Sequence, residues 1–405
     1  MTMGRVFRSA AAGACTLGLG LTVWMAGPAA GATAQPARAA HTARAAHTAR
    51  AALAARYKYT LSKIAFTGSR LAIAATDSHG DLYYFWQKAG TTKWHKQLVA
   101  SGGRGQSYSK PSIAWTGTAV IIVVLDAKDD LITYTQHVST TAWKRQQVAK
   151  ASGGKFQAPS IAAGAGGTVL ISAGSTAGQL VSFERAPGGH SWSRQTAGYG
   201  TFGNSSVIIC YDSLASGYLA LITATSGGTL YFWWEFVGAS GWAQETVAAA
   251  GPGGSYSGGS LAATSNELMI TAATSGGGVD AWSQSIGGTG WSAQTVATAG
   301  SNHYAHPVIA WTGPVSGGPH SFFVITATSK AGRLAYWWQY AGTVTTWTPE
   351  TVASSGKHAA YANPAISITG KSVIITAINT KPGDVYFWYQ PYTTNPWHKQ
   401  LVAAG

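Results

Sequence analysis

Seven tryptophans recur along this chain at a nearly constant interval: Trp94, Trp143, Trp192, Trp242, Trp291, Trp347 and Trp397. The gaps between them are 49, 49, 50, 49, 56 and 50 residues. Each opens a variant of one phrase, W-x-x-[QE]-x-V-A. The copies beginning at Trp94 and Trp397 read Trp-His-Lys-Gln-Leu-Val-Ala and are identical letter for letter. A fixed period of this size marks a repeat architecture, in which each unit buries its apolar faces only against its neighbours. A β-solenoid would repeat about every 20 to 30 residues, and helical repeats would carry 3.6-residue stripes.

One unit reads as four strands. In residues 107–150, Pro111-Ser-Ile-Ala-Trp-Thr-Gly117 is a short β-rich run closed by glycine. Val120-Ile-Ile-Val-Val-Leu125 is continuously apolar, as a strand covered on both faces should be. Leu131-Ile-Thr-Tyr-Thr-Gln136 follows a polar turn, and Trp143-Lys-Arg-Gln-Gln-Val-Ala149 completes the unit. Four strands in about fifty residues is the content of a propeller blade. The predicted fold is therefore all-β: a seven-bladed β-propeller with four antiparallel strands per blade, spanning residues 57–405. Two units carry extra residues, around Tyr211 to Tyr218 and Pro314 to Ser321, expected as longer loops between first and second strands.

The chain ahead of the repeats divides in two. Residues 1–34 have the make-up of a secretory signal. Arg5 and Arg8 begin it, Ala10 to Met25 form an apolar stretch too short and too rich in Ala and Gly for a membrane span, and Ala32-Thr33-Ala34 offers a cleavage site. Residues 35–56 are a low-complexity run of Ala, Arg, His and Thr with no apolar stripe. They are expected to be a solvated basic linker, with attachment to an acidic cell surface as the functional alternative. The expected setting is extracellular, with no membrane span left after cleavage. Beyond residue 34 the only cysteine is Cys210, so no intrachain disulfide is available to the mature chain.

Net charge points to no particular partner. Six of the 27 Lys and Arg precede the repeats, leaving 21 against 13 acids, or +8, spread along the blades. Nucleic-acid binding calls for a concentrated basic stripe, and none is visible. Oligomeric state is not legible.

The candidate chemistry is sparse. Glycoside hydrolysis needs two carboxylates facing one bond. Asp77 with Asp81, or Asp126 with Asp129 and Asp130, are the candidate pairs, although Asp is also a turn-former. The loop histidines His79, His190, His303, His306, His320 and His358 match no standard metal spacing. No Gly-rich phosphate cradle precedes a helix. No cofactor or metal is expected, and no catalytic residue is assigned.

Aromatic columns are the stronger signal. One lies five residues before the first-strand aliphatic: Tyr59, Tyr108, Phe156, Phe202, Tyr256, Tyr304 and Tyr361. A second, the fourth residue of the third strand, is aromatic in every copy: Phe85, Tyr134, Phe183, Trp233, Trp282, Trp337 and Trp388. The residue after it varies: Trp86, Thr135, Glu184, Trp234, Ser283, Trp338 and Tyr389. A uniform column such as the seven tryptophans serves blade packing, whereas an uneven one points to ligand contact. Sugars offer flat C–H faces to aromatic rings and hydroxyls to small polar groups. The candidate ligand-binding residues are therefore Trp86, Trp234, Trp338 and Tyr389, the loop rings Tyr108, Tyr256, Tyr304 and Tyr361, and Asp77 and His79 in the turn before the third strand.

These residues resemble the repeats of seven-bladed bacterial propeller lectins and are similar in pattern to tectonin-type and fucose-binding propeller lectins. The shared pattern is Gly-x-Leu, an aromatic strand ending in Gln, then Trp and a closing [QE]-x-V-A. The resemblance covers residues 57–405 and implies secreted sugar binding at several similar sites between blades, with glycans or cell-surface polysaccharide as partners. This chain departs from those lectins in having Gln or Glu where they often carry a second Trp near the last strand. The sialidase Asp-box and the Gly-His and Trp-Asp signatures are absent from the sequence. The expected function is a non-catalytic, lectin-like propeller. A propeller-type glycoside hydrolase and an extracellular protein-interaction scaffold are the alternatives.

Overall fold

A computed structural model of the chain describes residues 58–212, 217–252, 254–314, 321–342, 346–392 and 396–405. The leader and the basic linker lie outside the described residues. So do most of the two extra segments, and His320.

The described residues form seven four-stranded antiparallel sheets, each built from consecutive strands. The first blade contains β1 (Tyr59–Phe66), β2 (Arg70–Asp77), β3 (Leu82–Lys88) and β4 (His95–Ala100). The other blades follow the same plan over residues 109–149, 156–199, 205–248, 256–297, 304–353 and 361–403. First strands of successive blades lie side by side. Tyr59–Phe66 also lies against Tyr361–Ile368, which closes the ring. Among the described residues no strand is exchanged between the first and last blades. Where the fourth unit is longer, its first two strands extend as a hairpin, with Tyr211 opposite Tyr218.

The core lies between blades. The described residues hold seven buried apolar clusters, and each one draws on two adjacent blades. This explains the second strands. Ala119–Leu125 is buried at every position because neighbouring blades cover both faces of its sheet. At the centre of each second strand is an isoleucine: Ile73, Ile122, Ile171, Ile222, Ile270, Ile325 and Ile375. All seven are fully buried. Each pairs with the uniform third-strand aromatic, as Ile73 does with Phe85 and Ile375 with Trp388. Alternation along a strand then assigns faces. Ile73 joins the cluster shared with the seventh blade, while its neighbours Ala72 and Ala74 join the cluster shared with the second.

Candidate carbohydrate-binding clefts

The repeated phrase makes a handshake between neighbouring blades. Its tryptophan packs back on the preceding blade: Trp94 meets Phe387 edge-on at 5.4 Å, Trp143 meets Tyr84 at 5.2 Å and Trp397 meets Tyr336 at 5.0 Å. Its Gln or Glu receives hydrogen bonds from the next blade. Gln400 Oε1 accepts Gln87 Nε2 at 3.1 Å and Trp94 Nε1 at 3.3 Å, tying the last blade to the first. Glu245 Oε2 accepts Gln284 Nε2 and Trp291 Nε1, both at 3.1 Å. The clasp varies around the ring. Trp242 Nε1 donates to Ser182 Oγ at 3.1 Å, and the buried indole N–H groups of Trp143 and Trp192 have no hydrogen-bond partner among the described residues.

The two identical phrases can be read letter by letter. His95 stacks on Trp86 with ring centres 3.9 Å apart, and His398 stacks on Tyr389 at 4.8 Å. Lys96 Nζ sits 4.1 Å above Tyr83, and Lys399 Nζ sits 3.9 Å above Tyr386. Burial lowers the Lys96 pKa from the ordinary lysine value, while Asp77 and Asp81 act in the opposite direction.

The residues expected to share one pocket are separated. Tyr108, Tyr304 and Tyr361 are buried and Tyr256 is half-buried. Each stands edge-on to the uniform third-strand ring of its own blade, at 5.8, 5.0, 5.1 and 5.1 Å respectively. Tyr134 also donates to the Tyr108 hydroxyl at 2.9 Å, and burial raises the Tyr134 pKa. The expectation of an open loop column is thereby corrected. These rings begin the first strands, where the chain crosses between blades, and they join the clusters shared with the preceding blade.

One oxygen of each of Asp77, Asp81, Asp126 and Asp130 accepts from backbone. Asp77 Oδ1 accepts the N–H groups of His79 and Asp81, at 2.9 and 3.0 Å. Asp81 Oδ1 accepts the N–H of Gly102 at 2.5 Å. Asp126 and Asp130 repeat the arrangement in the second blade, where Asp130 Oδ1 accepts from Ala151 at 2.7 Å. These acids close the turn between second and third strands and tie down the exit of the fourth. His79 is exposed on the same turn. Among the described residues no three His, Cys, Asp or Glu side chains come together as a metal site would require.

The uneven column lies elsewhere. Trp86, Trp234, Trp338 and Tyr389 are all half-buried, four or five positions along their strands from the end that carries the Asp77 turn. At about 3.3 Å per residue they stand roughly 13 Å from that turn. They also face the following blade, whereas the seven tryptophans face the preceding one. Their surroundings differ. Trp86 is covered by the stacked His95 and by the Arg70 guanidinium, 4.7 Å from its ring. Tyr389 lies between His398 and Phe387.

Trp338 opens onto a cleft between the sixth and seventh blades with a volume of about 360 Å³. Phe322, Tyr340 and Tyr392 supply aromatic walls, and Glu350 and Gln390 supply polar ones. Glu350 is held in place by three donors: Trp338 Nε1 at 3.1 Å, Gln390 Nε2 at 3.1 Å and Trp397 Nε1 at 3.2 Å. Phe322 stands edge-on to Trp338 at 5.5 Å. Tyr392 donates to the Thr369 carbonyl at 3.0 Å, and burial raises its pKa. The sequence reading found Trp338 but missed Glu350, whose signal was the closing Gln or Glu shared by every unit, and Gln390, whose signal was the Gln that ends five of the seven third strands.

No protein-family model matches the sequence, and no curated protein matches it. Solved structures do resemble it in fold. One is a lectin from Burkholderia pseudomallei, 14% identical, covering 85% of this chain and 100% of the lectin, with a TM-score of 0.64. A second is AofleA from Arthrobotrys oligospora, 14% identical, covering 74% and 87% of the two chains, TM-score 0.51. A third is the Aleuria aurantia lectin, described as a six-bladed propeller with a novel fucose recognition mode. It is 11% identical and covers 86% and 98%, with a TM-score of 0.50. At these identities the likeness concerns the fold.

Proposed function

We propose that this propeller binds carbohydrate without catalysis, outside the cell, at clefts where a half-exposed third-strand aromatic faces the following blade. The leader in residues 1–34 would deliver it there. The observation that carries the reading is the Trp338 cleft. Its volume falls within the range of small-ligand sites. Its aromatic walls suit the C–H face of a sugar, and the Glu350–Gln390 pair suits hydroxyls. Glu350 is already aligned by its three donors, so little ordering is needed when ligand arrives.

Four blades carry an aromatic at the uneven position and three carry Thr135, Glu184 or Ser283, so the sites would be unequal and at most four. Weak sites on one ring gain strength on a multivalent glycan surface. The propeller lectins that share this fold support a sugar ligand. The fucose recognition named for the Aleuria protein makes fucosylated glycans the first to test.

A glycan array, followed by titration of the best ligand, tests the reading. Trp338→Ala should weaken binding at the sixth-to-seventh cleft about tenfold or more, and Trp338→Phe should recover part of it. Failure to bind any glycan at high protein concentration would sink the proposal, as would unchanged affinity in the Ala variant.

A further inference from the structure

The first strands also line a central channel with about 380 Å³ of open space, bounded by all seven blades. Two rows of side chains face it. The first row lies two residues after the Tyr/Phe column and includes Lys110, Asn204, His306 and Asn363. The second row lies two residues further on. Four blades place a serine there, Ser112, Ser160, Ser206 and Ser260, while the first blade places Lys63. Among the described residues no Asp or Glu lines the channel.

The serines have a structural task. Ser112, Ser160 and Ser260 each accept an N–H from the first strand of the next blade, Ile161, Val207 and Ile309, at 3.3, 3.3 and 3.2 Å. A hydroxyl that accepts in this way still has its own O–H to donate. Lys63 puts a full positive charge into this row, which Val308 and Ala365 complete in the sixth and seventh blades. Burial lowers its pKa, and His306 is lowered by burial and then by the charge of Lys63. The two ion pairs among the described residues are Arg145–Asp126 and Lys155–Asp129, and neither involves Lys63. A half-buried ammonium with no counter-charge among the described residues is costly. Lys110, Ala158, His306 and Asn363 of the first row all hold left-handed backbone, at φ 51°, 37°, 53° and 53°. The channel therefore gathers cations and hydrogen-bond donors from several blades, and no carboxylate of the described residues faces them.

We propose that the central channel binds a small oxyanion of the sulfate, phosphate or carboxylate class, with Lys63 Nζ as its counter-charge and the serine hydroxyls as donors. This site is separate from the clefts between blades and does not depend on the sugar-binding reading.

The test is thermal unfolding of the full chain in sodium sulfate, inorganic phosphate or chloride at matched ionic strength, comparing wild type with Lys63→Ser, which gives the first blade the residue four others carry, and Lys63→Met. Wild type should show a saturable rise in melting temperature with sulfate or phosphate beyond that in chloride. Both variants should lose the saturable part, corresponding to at least tenfold weaker anion affinity. Lys63→Ser should melt in chloride no lower than wild type, because it removes an unpaired charge. General salting effects are common to all three proteins, so the difference isolates the channel. A sulfated monosaccharide tested in parallel separates the two sources of such an anion. A response to both inorganic sulfate and the sugar, lost with Lys63, places a glycan-borne group in the channel, and a response to inorganic anions only points to a free ion. An equal anion response in wild type and both variants, or no response beyond chloride, overturns the proposal.

Discussion

The junction between the third and fourth blades and the junction between the sixth and seventh share a backbone plan and differ in where one acid sits. At the later junction the fourth strand supplies Glu350, which meets donors from two third strands and from Trp397, just ahead of the last strand. At the earlier one the roles are reversed. The fourth strand supplies Gln195, and the next blade's third strand supplies Glu235 in the place where five other blades have Gln. Glu235 Oε1 accepts Gln195 Nε2 at 3.2 Å, but Oε2 is buried with no hydrogen-bond partner among the described residues. Burial pushes the Glu235 pKa up to about 7, reinforced by the negative charge of Glu184. One carboxylate is thus fully engaged and borders an open cleft, while the other is half-engaged and opposed by a like charge. The clasp tolerates an acid when its neighbours donate, and the side of the junction that supplies the acid decides whether they do.

The largest effect should come from emptying the better clasp. Glu350→Ala leaves two indole N–H groups and one amide without their acceptor in a half-buried site, and should cost about 2–3 kcal/mol in urea unfolding. Glu350→Gln, the residue five other blades use here, should cost less than half as much. Equal losses in the two variants would show that the carboxylate's size matters and its acceptor role does not.

The next effect has the opposite sign. The Glu235 pKa is raised in the folded state, so its protonated form favours folding. Its stabilising contribution is present below the ordinary value of 4.5 and is lost as pH rises through about 7. Glu235→Gln should therefore gain about 1–2 kcal/mol over wild type at pH 8 and nothing at pH 4.5. A gain independent of pH would show that packing, not charge, limits this junction.

Much of this architecture is legible in sequence because blade packing demands uniform columns. The tryptophan ruler located all seven blades, and the four strands of each followed from runs of β-branched and aromatic residues. The site was less legible. Tyr108, Tyr256, Tyr304 and Tyr361 read as loop residues because a strand's first residue and a loop's last look alike without the neighbouring blade. Asp77 lies in the same repeat as Trp86, but the length of the strand puts the two toward opposite ends of the blade. Glu350 and Gln390 were hidden by their regularity: every unit closes on Gln or Glu and five third strands end in Gln, and only the structure shows that one blade's acceptor meets the next blade's donors. Lys63 was hidden for the converse reason, as one charge in a row of serines that single-strand patterns do not align.

The smallest effect tests whether the contrast between the two junctions is confined to polar groups. The central isoleucine of every second strand is fully buried and faces the preceding blade, so Ile222 lies at the third-to-fourth junction and Ile375 at the sixth-to-seventh. Replacing either with valine removes one methylene from the same layer of the same repeat, at a cost of about 1 kcal/mol. If the apolar layers are equivalent, Ile222→Val and Ile375→Val should agree within about 0.5 kcal/mol, and the double variant should show their sum, because the two sites share no partner. A clear excess at Ile222 would mean that the strain around Glu235 has spread into the packing beneath it. Agreement would confine the difference to the clasp, leaving a ring whose apolar layers are interchangeable and whose individuality lies in the polar residues that join one blade to the next.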